Sequence, residues 1–367
     1  MRYTLVHCAD IHLETTFAEL RGGARRRAAL ADAFVRAIDL ALELGADALT
    51  IGGDLYEAQR AGPQTARFIY EQCGRFGRPV FVAPGNHDPF GPTSLYARAD
   101  VPANVRVFNE SAWSPVPLAE GITLYGFGHA PAEPDPPFVG AHFERVGIRL
   151  ALVHGSDAER CPPNKRATAP FTLAEIARSG ATLALAGHYH GGYVARADGA
   201  TLAYPGSPEP IKFGESGTHG ALVVRIEADA ARVEAVELAR TRLVDRTCDL
   251  SGASNEPAVL SSVEAALAGL GTDDFVRLRL GGQVAEGTRV DATLIAERYG
   301  SALGALDVLD RTRAYDYARL AHEPTVRGRV VADLLALSNG EDAPLAADAE
   351  RALHYALDAF DGSDLAP

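Results

Sequence analysis

The chain has 367 residues, 47% of them hydrophobic, and its 35 basic and 48 acidic side chains leave a net charge of −13. That length supports a sizeable core and more than one domain, and the apolar share excludes a disordered chain. The acidic balance excludes a broad basic surface for nucleic acid, though not a local one, because bound cations supply positive charge where a phosphate reacts.

Residues 3–8 predict a buried strand that runs into Asp10-Ile11-His12. Residues 25–44 predict a helix, with Leu30, Phe34, Ile38, Ala41 and Leu42 at helical spacing and Gly45 as its stop. A second buried strand over 48–51 leads to Gly53-Asp54, and a helix follows over 64–76. A third strand, 79–83, ends at Pro84-Gly85 before Asn86-His87-Asp88. Further strands are expected at 104–108, 122–126, 148–153 and 181–186. The last two precede His154-Gly155 and Gly187-His188-Tyr189-His190. Strands at 201–204, 221–227 and 232–238 follow in succession. The expected architecture is α/β, with two packed, mostly mixed β-sheets flanked by helices over residues 1–242.

The character changes near residue 240. Strands at 247–250, 275–280 and 305–309, with helices at 259–270 and 292–303, predict a small αβ unit over 247–322. Two amphipathic helices, 326–337 and 345–360, make up a C-terminal helical pair over 324–367. The four cysteines (Cys8, Cys73, Cys161, Cys248) are scattered, which argues against a disulfide framework and fits a reducing compartment. The first motif arrives by Asp10 and no apolar run reaches spanning length. We therefore expect no cleaved leader, no membrane segment and a cytoplasmic location.

Five motifs carry the chemistry. Asp-x-His, a lone Gly-Asp or a single histidine is, taken alone, an ordinary polar turn or a hydrogen-bonded buried group. Five such pieces, each after a strand-like run, describe a two-metal phosphoesterase site. Such ions lie roughly 3.5–4 Å apart and share a carboxylate. Asp54 is the expected bridge; one ion would take Asp10, His12 and His190, the other Asn86, His154 and His188. The mixed nitrogen and oxygen set suits manganese, iron or zinc better than magnesium or calcium. His87 cannot easily share a metal with its neighbour Asn86, so it is expected to face the substrate as a proton donor or transition-state hydrogen-bond donor. Asp88 is expected to hold its other ring nitrogen. The histidines outside the motifs, His7, His129, His142, His219, His322 and His354, are expected to be structural or surface groups, with His129 the one open to a role at the site. Arg21, Arg25, Arg26 and Arg27 sit unfavourably at a helix start and either contact DNA phosphates or form a solvated face.

These blocks resemble the calcineurin-like metallophosphoesterase superfamily over residues 1–240. The closer likeness is to its DNA-repair exonuclease branch, the SbcD-type nuclease subunits that pair with an SMC-like ATPase. The marks are Cys8-Ala9-Asp10-Ile11-His12-Leu13, Gly52-Gly53-Asp54-Leu55-Tyr56-Glu57 and Pro84-Gly85-Asn86-His87-Asp88-Pro89, together with Tyr204-Pro205-Gly206-Ser207-Pro208 for the branch. The resemblance implies the same metal ligands, manganese as the cofactor, a DNA substrate and a small αβ capping domain over 247–322; a role in DNA repair as a homodimer is the expectation that follows. It also implies that the helices after the cap receive an SbcC-type ATPase, through Val330, Val331, Leu334 and Leu335 with Leu353, Ala356, Leu357 and Phe360; the other reading is that these faces pack on each other. Several nucleases of the branch carry a histidine three residues after the bridging aspartate. This chain has Glu57 there, which puts processive exonuclease action in question. The rival reading is a small-molecule phosphodiesterase or phosphomonoesterase using the same site.

Overall fold

The computed structural model describes residues 2–17, 21–130, 133–162, 166–228, 230–285, 287–313 and 315–360. In chain order the elements begin β1 (Arg2–Cys8), α1 (Gly23–Glu43), β2 (Ala48–Ile51), α2 (Pro63–Phe76), β3 (Val80–Val82) and β4 (Val105–Val107). Next come β5 (Ser114–Ala119), β6 (Ile122–Phe127), β7 (Ile148–His154), α3 (Leu173–Ser179), β8 (Leu183–Gly187), β9 (Tyr193–Ala197) and β10 (Ala200–Tyr204). The strands β11 (Gly220–Glu227), β12 (Ala230–Glu237) and β13 (Arg242–Asp249) follow. The remainder is α4 (Glu256–Leu267), β14 (Asp274–Gly281), α5 (Ala292–Gly300), β15 (Ala305–Asp310), α6 (Tyr317–Ala321), α7 (Val326–Ser338) and α8 (Ala343–Phe360).

Two six-stranded sheets form, in the orders β12-β11-β1-β2-β3-β4 and β5-β6-β7-β8-β10-β9. Both are mixed. In the first, β1 to β4 run parallel and β11 and β12 are antiparallel. In the second, β6, β7, β8 and β10 are parallel, with antiparallel β5 and β9 at the edges. The α/β sandwich expected from the sequence is what the chain builds.

Alternation along the strands explains the layering, because successive side chains point to opposite faces. On β1, Tyr3 and Leu5 face inward and join Phe81, Leu124, Leu150, Leu152 and Leu185 in the core between the sheets. Val6 and Cys8 face outward and pack with Phe34, Ile38 and Ile69 of α1 and α2. On the far side, Val153, Ala184 and Leu202 meet Ile176 of α3. Central strands covered on both faces read as continuous apolar runs, which is why they were visible in the sequence. The edge strand β5 carries Pro115 and Pro117, which an edge tolerates because it need not donate on both sides. Neither β5 nor β9 was expected from the sequence, nor were the short α3 and α6.

The chain divides into two compact units: residues 1–244 with 271–275 and 303–305, and residues 245–270, 276–302 and 306–367. A three-stranded sheet of order β13-β14-β15 has most of its residues in the second unit. Its C-terminal helices pack on one another, with Tyr317, Leu320, Val331, Leu353 and Leu357 buried and Leu334 and Leu335 against them. Most of the apolar faces expected to receive a partner are thus turned to each other. Among the described residues no helix is long and apolar enough to cross a membrane, and the four cysteines are free thiols.

Candidate metal centre

Every predicted ligand sits at or just beyond the carboxyl end of a parallel strand: Asp10 and His12 after β1, Asp54 after β2, Asn86 after β3, His154 on β7, His188 and His190 after β8. Because these strands run parallel within each sheet, their ends gather at one edge, the usual place for ligands in such sheets. The turns there are strained. Asp10, His12, Asp54 and His188 all have positive φ (56°, 52°, 50° and 113°), a region that non-glycine residues occupy at a cost of about 1–3 kcal/mol each. Gly53, at φ 87°, could not be replaced without a clash, since a Cβ there would lie 2.6 Å from His154 Nδ1.

The side chains converge. Asp10, His12 and His190 bring ligand atoms within 4.8 Å of one another, and so do Asp10, Asp54 and His154. Asp54 Oδ2 lies 3.4 Å from His154 Nε2 and 3.7 Å from His12 Nε2, as a shared carboxylate must. Asn86 Oδ1 is 3.0 Å from His154 Nε2. The His188 ring stands edge-on to His154 with centroids 5.3 Å apart, and His12 and His190 are 5.0 Å apart.

The donor chemistry fits cations. His12 Nδ1–H donates to Glu57 Oε1 at 2.8 Å, which leaves Nε2 as an acceptor, and that atom is buried with no hydrogen-bond partner. His154 Nδ1–H donates to the Gly52 carbonyl at 2.8 Å. Its Nε2 then aims at two further acceptors, Asn86 Oδ1 and Asp54 Oδ2. A positive charge between them is what such an arrangement requires. Electrostatics agree. Burial first, and then Asp54, pushes the Asp10 carboxyl above its ordinary value. Burial works against charge on His154 too, yet Asp54 and Asp10 outweigh it and raise the ring to about 9. Burial pushes His188 down to about 3, leaving it neutral and fit to ligate.

His87 stands apart from this set. Its backbone N–H donates to Asp54 Oδ1 at 2.8 Å, while its side chain is 43% exposed, more than those of His12, His154 and His190. The expected pairing with Asp88 does not form. Glu57 Oε2 takes the His87 Nδ1–H at 2.9 Å instead. Asp88 is fully buried and accepts the N–H groups of Gly85, Asp54 and Leu55 (2.7, 3.0 and 2.8 Å), because the turn closes around its carboxylate and directs it away from its neighbour.

The arginines diverge. Arg26 is buried, against expectation for a DNA contact, paired with Glu209 at 3.6 Å and donating to Pro210 O and Thr241 Oγ1. Arg25 donates to Thr272 O at 2.7 Å. Arg21 and Arg27 are exposed. Two carboxylates were missed by the sequence reading: Glu57 as the partner of His12 and His87, and Glu215, which accepts from His190 Nδ1–H at 2.5 Å. Glu57 lies three residues from Asp54 and was within reach of inspection; Glu215 is 25 residues from His190 and no spacing marks it. His129 lies behind the site, its Nε2–H donating to the His154 carbonyl at 2.9 Å.

A strand-end cluster of this make-up on an α/β sandwich defines a metal-dependent phosphoesterase. The chain belongs to the calcineurin-like phosphoesterase family, whose model matches residues 3–192. An uncharacterized metallophosphoesterase of Bacillus subtilis, YhaO, is 26% identical over 307 residues, covering 77% of this chain and 72% of its own. Among solved structures, a dimetal phosphatase of Danio rerio is similar at 12% identity and TM-score 0.43, over 63% of this chain and 95% of that one. An archaeal phosphodiesterase matches at 10% identity and TM-score 0.36, over 64% and 99%.

Proposed function

We propose that the chain is a two-metal phosphodiesterase whose substrate is DNA. Asp10, His12, Asp54 and His190 would hold one divalent cation, and Asp54, Asn86, His154 and His188 the other, with manganese the metal that the SbcD-type resemblance favours. When bound, the pair supplies charge neutralisation at the phosphate and acidifies a water. The chain's own residues do the rest. Asp54 sits between the two ligand sets, and Gly52 O and Glu57 hold His154 and His12 with their Nε2 atoms turned inward. With its Nδ1–H on Glu57, the His87 ring would donate from Nε2–H, as the imidazolium, to a phosphate oxygen or the leaving oxygen. The observation that supports phosphoester hydrolysis is a half-exposed imidazole, His87, beside the buried Asp10, His12, Asp54 and His154, where the His12 Nε2 acceptor has no hydrogen-bond partner.

DNA as the substrate rests on the motif resemblance, including the Tyr204–Pro208 block. In the structure that block braces the metal loop: Tyr204 OH donates to Gly155 O at 2.8 Å and Ser207 N–H to His190 O at 2.9 Å. The same resemblance makes an SMC-like ATPase and a second copy of the chain the partners we propose. A second reading, hydrolysis of a small phosphoester, is favoured by the net charge of −13 and by the burial of Arg26. The two separate in one assay with Mn2+: cleavage of linear and hairpin DNA on a gel against turnover of bis(p-nitrophenyl) phosphate. Intact DNA alongside fast turnover of the ester would overturn the nuclease reading.

A further inference from the structure

We propose that Glu57 is a positioning residue that aims two imidazoles at once, His12 at the metal and His87 at the substrate phosphate. The inference rests on the two-metal phosphoesterase reading, and is independent of whether DNA is the substrate. Both carboxylate oxygens are engaged: Oε1 takes His12 Nδ1–H at 2.8 Å and Oε2 takes His87 Nδ1–H at 2.9 Å. The two rings stand edge to face, with centroids 4.7 Å apart. Thr15 Oγ1–H adds a third bond to Oε1 at 3.2 Å. The backbone is anchored as well, since Glu57 N–H donates to Leu13 O and Glu57 O accepts from Ala61 N–H, both at 2.9 Å.

The chemistry of a carboxylate makes this arrangement specific. It accepts and never donates, so each ring must present Nδ1–H to it and turn Nε2 the other way. For His12 that leaves Nε2 buried without a partner, near Asp54. For His87 it leaves Nε2 as the ring nitrogen available to a ligand. A carboxylate behind a metal-bound histidine is a recurrent way to fix its ring and tautomer. Here the same group also holds the substrate-facing histidine, so metal ligation and substrate contact share one anchor. An amide cannot replace it. Glutamine offers one acceptor and one donor, and with two Nδ1–H groups facing it, one imidazole must give up its orientation or its Nδ1–H tautomer.

The test uses full-length Glu57→Gln, His87→Ala and the double variant, with Mn2+ binding followed by calorimetry and turnover by bis(p-nitrophenyl) phosphate at saturating Mn2+. Glu57→Gln should weaken Mn2+ binding about 10- to 100-fold and lower kcat at saturating metal with KM little changed. His87→Ala should keep the Mn2+ affinity. The double variant should turn over no more slowly than His87→Ala alone, because Glu57 acts on turnover through that ring. Wild-type Mn2+ affinity in Glu57→Gln, or losses in kcat that multiply in the double variant, would overturn the proposal. Should Glu57→Gln fail to fold by circular dichroism, Glu57→Asp carries the same test, since it keeps the charge but is one methylene too short to reach both rings. A wild type that binds Mn2+ but hydrolyses no phosphoester would defeat the functional reading, and the Mn2+ affinities would then decide this one alone.

Discussion

The Asp88 carboxylate and the Tyr96 hydroxyl meet at 2.5 Å beneath the metal turns. Three backbone N–H groups, from Gly85, Asp54 and Leu55, converge on the same carboxylate. Asp88 therefore ties the turn after β2 to the turn after β3, and so sets the distance between Asp54 and Asn86. Replacing it with asparagine puts an NH2 group where N–H or O–H donors point. Leaving such buried donors unpaired costs about 1–3 kcal/mol each. We expect Asp88→Asn to lower the stability of the metal-free protein by about 2–3 kcal/mol in urea denaturation and to weaken Mn2+ binding. Undiminished stability with a selective fall in kcat would instead return Asp88 to a role behind His87.

The His87 imidazole bonds to Glu57 rather than to a candidate ligand side chain, and it is 43% exposed. His87→Ala should retain metal at wild-type stoichiometry by elemental analysis. Turnover of a phosphodiester should fall by about two to four orders of magnitude, the range for a proton-transfer group. A turnover within a few-fold of wild type would remove His87 from the chemistry.

Arg26 and Arg27 are adjacent in sequence and opposite in environment. Arg26 is enclosed with Glu209, which also binds Arg36 at 2.5 Å, whereas Arg27 is exposed. Breaking a buried ion pair from one side costs about 3–5 kcal/mol, while surface changes mostly stay within about 0.5 kcal/mol. Arg26→Ala should therefore sharply lower the midpoint of denaturation and Arg27→Ala should not. If Arg26→Ala were as stable as wild type but bound DNA more weakly, the burial assigned to it here would be wrong.

His7 lies between the two sheets, its Nδ1 3.0 Å from Thr50 Oγ1 and its Nε2 3.3 Å from Ala186 O. Burial pushes its ring down to about 4, below the value of about 6.5 in an unfolded chain. Between those values the unfolded chain binds the extra proton. Stability from this group is thus complete above pH 6.5 and is lost as pH falls toward 4, a change of about 3 kcal/mol for a shift from 6.5 to about 4. His129, also lowered to about 4 by burial, adds to the same limb. Denaturant melts of wild type and His7→Gln at pH 7 and pH 4.5 check this: the variant should lose less stability between them. Equal losses would show that His7 does not titrate in this window.

The sandwich, its central strands and the candidate metal-binding residues were legible in the chain alone, because each of these is a local pattern. A strand buried on both faces must be apolar throughout, and a ligand turn must follow directly on the strand that aims it, as Asp10 follows β1 and Asp54 follows β2. Edge strands such as β5 escaped notice because an edge tolerates Pro115 and Pro117, which read as loop. Which carboxylate stands behind which imidazole emerged only once the chain was folded. Asp88 is next to His87 in the chain but is consumed by the N–H groups of two turns, whereas Glu57, 30 residues earlier, reaches the ring. The fold likewise buries Arg26 while Arg27 stays exposed, and brings Glu215 to His190. Such pairings depend on where separate turns come to lie against each other, and the spacing of residues along one strand or helix carries no trace of that.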